Sequence, residues 1–302
     1  MIELWFQLIE KPIFPLLGLF VGCIMGSFLN VCAHRIPIAK SIVFPSSHCP
    51  KCGSSINWFR NIPIFSWIIQ KGRAVCCSYI IPIRYFLVEL ITGVLFGYFF
   101  YLSSIDSDFV MLLVRCIFTS FMLAIIVIDY ETMLIPDRLS IGGAVTGLIL
   151  AFTFPEINLD FIQNSWLDHF SSGLDSLIGL IIGSSLLYWI GVLGFLIFGR
   201  EALGEGDIKL LGCIGAFCGW QGATFAIFGG AFFGTCLLLP VMLCQKLFHF
   251  QKEKNDSDCE LVWGKEVPFG PFLAAAGLFY FLGGSVYIEP WFEPFFLLIK
   301  NQ

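Results

Sequence analysis

The sequence predicts an all-α polytopic membrane protein, with about eight transmembrane helices and a cysteine-bearing cytoplasmic loop after the first span. Three observations carry that prediction. Of the 302 residues, 57% are hydrophobic and 13% charged, against about 25% charged in a typical soluble domain. Apolar runs of roughly 20 residues, enough to cross ~30 Å of hydrocarbon, recur along the chain. Between the runs, loop charges segregate by sign.

The runs fall near 12–34, 79–101, 109–128, 174–198, 222–245 and 267–287, with shorter ones near 139–154 and 207–220. Counting both short runs gives eight spans, or seven if one of them is re-entrant. The first run ends in GSFLNVCAHR, with no small-residue cleavage site after a short apolar stretch. It therefore reads as a retained span and not as a removable signal peptide. His34 and Arg35, at its end, read as interface anchors.

The stretch 35–78 carries Arg35, Lys40, Lys51, Arg60, Lys71 and Arg73 and no Asp or Glu. The segments 102–108 and 155–173 carry Asp106, Asp108, Glu156, Asp160 and Asp168 and no Lys or Arg. Positively charged loops stay on the cytoplasmic side, which places 35–78 inside and the two acidic segments outside. Alternating eight spans from that anchor puts both termini outside and 129–138, 199–207 and 246–266 inside. Arg138, Arg200, Lys246, Lys252, Lys254 and Lys265, with Lys209 nearby, then lie where the same rule wants them. The tail EPWFEPFFLLIK suits an aromatic anchor lying in the interface. The sequence divides into a first span (1–34), the cytoplasmic loop (35–78) and a multi-span remainder (79–302).

The chain has twelve cysteines. Cys23, Cys32, Cys116, Cys213, Cys218, Cys236 and Cys244 sit in apolar runs, where a free thiol behaves as a small hydrophobe. Cys49 and Cys52, in HCPKCG, have the spacing at which two thiolates grip one Zn²⁺, and a closed tetrahedron then needs two further ligands. The loop is therefore zinc-knuckle-like. Cys76 and Cys77 in RAVCC, with His48, are the thiols and imidazole at hand.

Carboxylates are scarce, so their placement matters. Asp129 ends an unbroken apolar run in AIIVIDYETMLIPD, and Asp207 opens another in GEGDIKLL. On the topology above, both lie at the cytoplasmic ends of their helices. Two acids at one membrane face and at similar depth can converge, and carboxylates a few ångströms apart cannot both ionise, so one keeps its proton. That pair suits an aspartyl protease: one carboxylate deprotonates water while the other polarises the scissile carbonyl. Capping a helix, or pairing with Lys209 and Arg138, is the competing structural reading. Gly204 and Gly206 favour the first, because they allow an extended peptide to approach closely. Asp137 in LIPD suits a helix N-cap, and Lys265 with the PFGP turn at 268–271 suits the entrance to the last helix. Glu89 and Arg84, five residues apart in the second span, are costly charges in a membrane helix and hence candidates for substrate contact or pairing.

Several function classes are disfavoured. There is no basic, aromatic-interleaved patch for nucleic acid, no GxGxxG after a strand and no HExxH. No GxSxG or Ser–Lys pairing stands out. A proton- or cation-coupled transporter using the same acids would place them near the midplane of repeated halves, a pattern absent from the sequence. A knuckle scaffold without catalysis would make GEGD an accident.

GEGD at 204–207, with IDYETMLIPD at 128–137, resembles the bacterial type IV prepilin peptidases, which are GxGD-type membrane aspartyl proteases. GSFLNVCAHRIP at 26–37, RYFLVE at 84–89 and KEVPFGPFLAAAG at 265–277 are similar to further signatures of that family, in the same order. The resemblance implies Asp129 and Asp207 as the catalytic pair, with Gly204, Gly206 and Lys209 in the active-site loop. It implies a bacterial inner-membrane enzyme that removes the basic leader from prepilins and type II secretion pseudopilins at the cytoplasmic face. It further implies methylation of the new N-terminal residue, usually Phe, with S-adenosylmethionine. The partners are then prepilin and pseudopilin substrates, membrane lipid and, indirectly, the pilus or type II secretion machinery, with no nucleic acid. The family's second CxxC would put Cys77 in the zinc set with Cys49 and Cys52. Its other position falls on Ala74, which leaves Cys76 open as the fourth ligand. The resemblance also links the loop 35–78 to methyl transfer, with Glu89 and Arg84 as candidate substrate or methyl-transfer contacts.

Overall fold

The computed structural model describes residues 13–44, 47–158, 166–199, 203–248 and 267–292. Asp160, Arg200, Lys252, Lys254, Lys265 and the tail beyond Phe292 lie outside the described residues. Among those described the chain is helical, with two isolated bridges and no strand.

Six helices are long and apolar enough to cross a membrane. They are α1 (Ile13–Arg35), α3 (Ile83–Asp106), α4 (Phe109–Thr132), α6 (Trp166–Phe198), α7 (Glu205–Phe248) and a last span, Gly270–Trp291, that opens with α8 (Gly270–Phe279). A short α2 (Phe65–Ile69) lies in the loop between α1 and α3, and α5 (Asp137–Thr153) follows α4. Length accounts for the difference from eight. Helix α5 has only 17 residues, and α7 contains two of the apolar runs in one element.

The chain forms two compact units, 1–128 with 149–172, and 129–148 with 173–302. In the first, α1 and α3 pack as an antiparallel pair. Gly18, Gly22 and Gly26 recur every fourth residue of α1 and face Phe100, Thr92 with Phe96, and Glu89 in turn. A Cβ at Gly26 would stand 2.7 Å from the Glu89 Cα, and one at Gly22 2.5 Å from the Thr92 carbonyl oxygen. Helix α3 answers with Gly93 and Gly97 against Cys23 and Pro15. Lipid tails are as apolar as leucine, so helices in a bilayer are held by such close backbone approach and not by a hydrophobic drive. Ser107 ends α3 in the left-handed region. The Asp108 carboxylate then caps α4 by accepting the Met111 N–H at 2.9 Å.

The second unit is organised by a reversal inside α7. Gly219 has φ 67° and ψ −177°, outside helical space and in a region that only glycine occupies without strain. The Leu211 carbonyl oxygen and the Ala223 Cβ both come within 3.0 Å of a Cβ built on Gly183. They are thus within about 6 Å of each other, where twelve residues of continuous helix would separate them by about 18 Å. Helix α7 is a hairpin of arms 205–218 and 220–248. Gly179 packs backbone to backbone against Gly215, and the Ser176 hydroxyl donates to the Ala216 carbonyl at 2.6 Å, so α6 runs antiparallel to the first arm. Helix α8 lies against both arms, with Gly277 on Ile214 and Leu273 on Gly230.

Candidate functional site

The second unit brings three chain ends together. Asp129 lies in the last turn of α4 and is 4% exposed. Helix α4 closes with Met133 in the left-handed region, its N–H donating to the Asp129 carbonyl at 2.9 Å. The chain then passes through Ile135 to α5. Ile135 is wedged between two glycines: a Cβ on Gly206 or on Gly270 would meet it at 2.9 Å. Lys209, in the first turn of α7, donates to the Asp137 carboxylate at 2.7 Å, so the start of α7 is tied to the start of α5. The ion pair expected as one alternative for Asp207 is therefore made by Asp137.

These ties set the two carboxylates. Asp207 is half-buried at the mouth of α7, and its carboxylate accepts a hydrogen bond from the backbone of Gly204. Its own N–H donates to the Gly204 carbonyl at 3.2 Å. Ile135 links the two ends, packing on Gly206 beside Asp207 and on Gly270, which packs on Asp129. Asp129 accepts a hydrogen bond from the backbone N–H of Gly270, at the start of α8. A side chain at Gly270 would run into the Asp129 carboxylate. Gly270 belongs to the PFGP turn that the sequence read as a helix entrance. Its part in holding Asp129 was not legible, because the sequence gives no sign that this turn folds onto α4.

In the first unit, four thiols converge. The Sγ atoms of Cys49, Cys52, Cys76 and Cys77 all lie within 4.8 Å of one another. Cys49 to Cys77 is 3.6 Å, Cys52 to Cys76 3.4 Å and Cys76 to Cys77 3.8 Å. A tetrahedral ion with Zn–S bonds of ≈ 2.3 Å requires edges of roughly 3.8 Å, so the set fits one metal ion. Two matching backbone knuckles build it. The Cys49 N–H donates to Ser54 and Gly53 returns to Cys49, with His48 bridged to Ser55. Twenty-five residues on, Ala74 donates to Tyr79 and Ser78 returns to Ala74, with Arg73 bridged to Ile80. Cys77 thus occupies the place of Cys52, and Ala74 that of Cys49. The missing sulfur is supplied by Cys76, which closes the tetrahedron in place of His48. Hydrogen bonds from the backbone of Cys52 and Lys51 hold the Cys49 thiol below its usual range. The Ser54 hydroxyl, then its backbone, and Cys76 bring Cys52 down to about 6. The Tyr79 backbone lowers Cys77, but burial and the neighbouring sulfurs outweigh it and push that thiol up to about 11. One readily ionised sulfur beside one reluctant one is what crowded thiols do when no cation neutralises them.

The remaining candidates sit in α1 and α3. Arg84 stacks over the Tyr85 ring at 4.8 Å. Glu89 is buried and accepts the Ile64 N–H at 2.7 Å and a hydrogen bond from Ser27. The Arg35 guanidinium donates to the Ser41 carbonyl at 3.0 Å.

Residues 20–103 match the bacterial Peptidase A24 N-terminal domain, and residues 116–239 match the type IV leader peptidase family. A prepilin leader peptidase/N-methyltransferase of Dichelobacter nodosus is 32% identical over 92% of this chain and 95% of its own length. The chain belongs to the type IV leader peptidase family. Relatives of the same description in Stutzerimonas stutzeri and Pectobacterium carotovorum are 33% and 32% identical, each over 90% of this chain and 91% and 94% of their own. No solved structure gives a significant match. As a member of this family the chain is a multi-pass membrane peptidase, and the two matched regions contain the thiol cluster and the two aspartates respectively.

Proposed function

We propose that this leader peptidase cleaves the basic leader from prepilins and pseudopilins with Asp129 and Asp207, at the cytoplasmic face of the bacterial inner membrane. The observation that supports this reading is that the helix ends bearing Asp129 and Asp207 are joined through Ile135, which packs on Gly206 beside Asp207 and on Gly270, itself packed on the almost fully buried Asp129. Carboxylates in electrostatic contact titrate as a pair and share a proton between them. The ionised one takes a proton from water as its oxygen attacks the scissile carbonyl. The protonated one donates to that carbonyl oxygen. Collapse of the tetrahedral intermediate breaks the C–N bond, and the proton passes to the departing amine. The exposed Gly204 and the small Gly206 leave room for an extended peptide backbone. The run of basic residues in 35–78, with no acid, supports the cytoplasmic orientation. A helix already in the bilayer then presents its leader to the acids without leaving the membrane.

The relatives' names extend the reading to methylation of the new N-terminus, for which S-adenosylmethionine would supply an electrophilic methyl group. A cavity of about 440 Å³ beside α1 does not fit that donor. It is lined by apolar side chains with Arg35 as its charged group, and it offers no carboxylate to a sulfonium or a ribose. For the thiol cluster, we assign zinc held by Cys49, Cys52, Cys76 and Cys77, which would fix the loop and take no part in cleavage.

The test is processing of a prepilin by the purified full chain in detergent, comparing wild type with Asp129→Asn and Asp207→Asn. Both variants should retain expression and lose cleavage. Near-normal cleavage by either one refutes the pair.

A further inference from the structure

Residues 58–69, WFRNIPIFSWII, are the least watery part of the loop between α1 and α3. Trp58 is 81% exposed, Ile69 77%, Phe65 66% and Ile68 54%. A segment bathed in cytosol would not display this many large apolar side chains together. Its position explains them. Trp58, Ile62 and Pro63 line one cavity together with Phe20, Ile24 and Phe28 of α1. Ile24 lies eleven residues, or about 16 Å, below the end of α1 at Arg35, and so well inside a hydrocarbon layer ~30 Å thick. The strap therefore runs down beside the lipid-facing side of the first span.

A second observation shows what holds it there. Ile64 has φ 64° and ψ −58°, with the Phe65 N–H closing onto the Pro63 carbonyl at 2.6 Å. This is the rare, strained form of the γ-turn, and a β-branched residue is a poor choice for it. The turn frees the Ile64 N–H to point away from its own segment, and the buried Glu89 carboxylate of α3 receives it at 2.7 Å. Ser27 of α1 holds the same carboxylate. On the strap's far side the Trp67 indole donates to the Ile81 carbonyl at 3.3 Å. The surrounding loop carries six basic residues from Arg35 to Arg73 and no acid until Glu89, a charge pattern that complements anionic headgroups.

We infer that residues 58–69 form an interfacial element inserted into the anionic leaflet of the bilayer, and that Glu89 is the positioning residue that pins it. Trp58, Phe65, Ile68 and Ile69 contact acyl chains. Arg60 and Lys71, flanking them, meet the headgroups. The knuckle is then suspended from a membrane-bound strap and is not a free cytosolic module. This assignment does not depend on the peptidase reading.

The test uses the full chain in nanodiscs of mixed phosphatidylglycerol and phosphatidylethanolamine, with a photoreactive benzophenone residue placed in turn at positions 58, 65, 69 and, on the knuckle, 55. Illumination should give phospholipid adducts, read by mass, at the first three positions and none at Ser55. Absence of lipid adducts at all three, or adducts to protein alone, overturns the insertion. With the probe at 65, Glu89→Gln keeps an acceptor for the Ile64 N–H and should keep the adduct yield. Glu89→Ala should lose it several-fold while the four thiols still bind one metal ion. Equal yields from the two variants overturn the pin.

Discussion

The thiol cluster and the two carboxylates solve one problem, holding polar groups still, by opposite means. The thiols come from two short knuckles within one loop, and each backbone hairpin aims its own sulfur. The carboxylates come from helix ends far apart in sequence, and what aims them is the close approach of glycines to a neighbour: Gly206 and Gly270 on Ile135, and Gly270 on Asp129. The first site would be completed by an ion, whose binding energy would become folding energy. The second is completed by packing alone, so its precision depends on space that a single methyl group would fill.

The largest expected effect separates the two regions outright. Asp129→Asn and Asp207→Asn should each lower prepilin cleavage by roughly a thousandfold or more, as expected when one member of a concerted pair is lost. Cys49→Ser should leave cleavage within about tenfold while abolishing metal binding. A quantitative cleavage assay beside metal analysis checks both, and a Cys49→Ser variant as dead as the aspartate variants would erase the distinction.

Gly270→Ala should come next. Its new Cβ must displace the Asp129 carboxylate, and misplacing a reacting group by about 1 Å can cost on the order of a hundredfold. The kcat should fall while the variant still extracts and migrates like wild type. Unchanged turnover would mean that Asp129 is not held from α8.

Metal content and its pH dependence test the first region alone. Purified protein should carry about one zinc per chain, the count that one closed tetrahedral set of four ligands allows. The thiol of Cys52, lowered to about 6 in the metal-free loop, is ionised above that pH and protonated below it. Protons therefore compete with the ion as pH falls through that range, and because the Cys77 thiol, pushed up to about 11, still holds its proton at pH 7, affinity should go on rising as pH increases above neutrality. Titration with a chromogenic chelator measures it. Cys76→Ala should lower affinity as strongly as Cys77→Ala if the adjacent cysteines both serve.

The smallest effect belongs to Lys209 and Asp137. Their ion pair is short but partly exposed, with side-chain exposures of 34% and 59%. Such exposed pairs are screened by water and add little to stability, so Lys209→Met should shift the thermal midpoint by only a few degrees. A large loss of stability would show that the joint between α5 and α7 depends on charge and not on Ile135.

Much of this arrangement was legible in the sequence. Apolar length and loop charge mark the spans, CxxC marks the knuckle, and acids ending apolar runs mark Asp129 and Asp207. What escaped was tertiary. Ala74 in the place of a cysteine hides the second knuckle, and only the matched backbone pattern shows that Cys76 replaces it. Gly219 reads as one glycine among 30, although its left-handed φ folds two apolar runs into a hairpin. Ile64 carries no mark at all, because a strained turn imposed by Glu89 leaves no preference in the residue that bears it.

The first arm of that hairpin has a consequence for the solvent. From 205 to 218 it rises only about 21 Å, some 9 Å short of the hydrocarbon it sits in. Residues 210–217 are buried against the neighbouring helices, so the arm meets protein and not lipid. Asp207 stands at its mouth, where full burial gives way to partial exposure. A hydrolase consumes one water for every bond it cuts, and a short arm whose mouth is open at Gly204 and Glu205 leaves water a route to the carboxylate beside them.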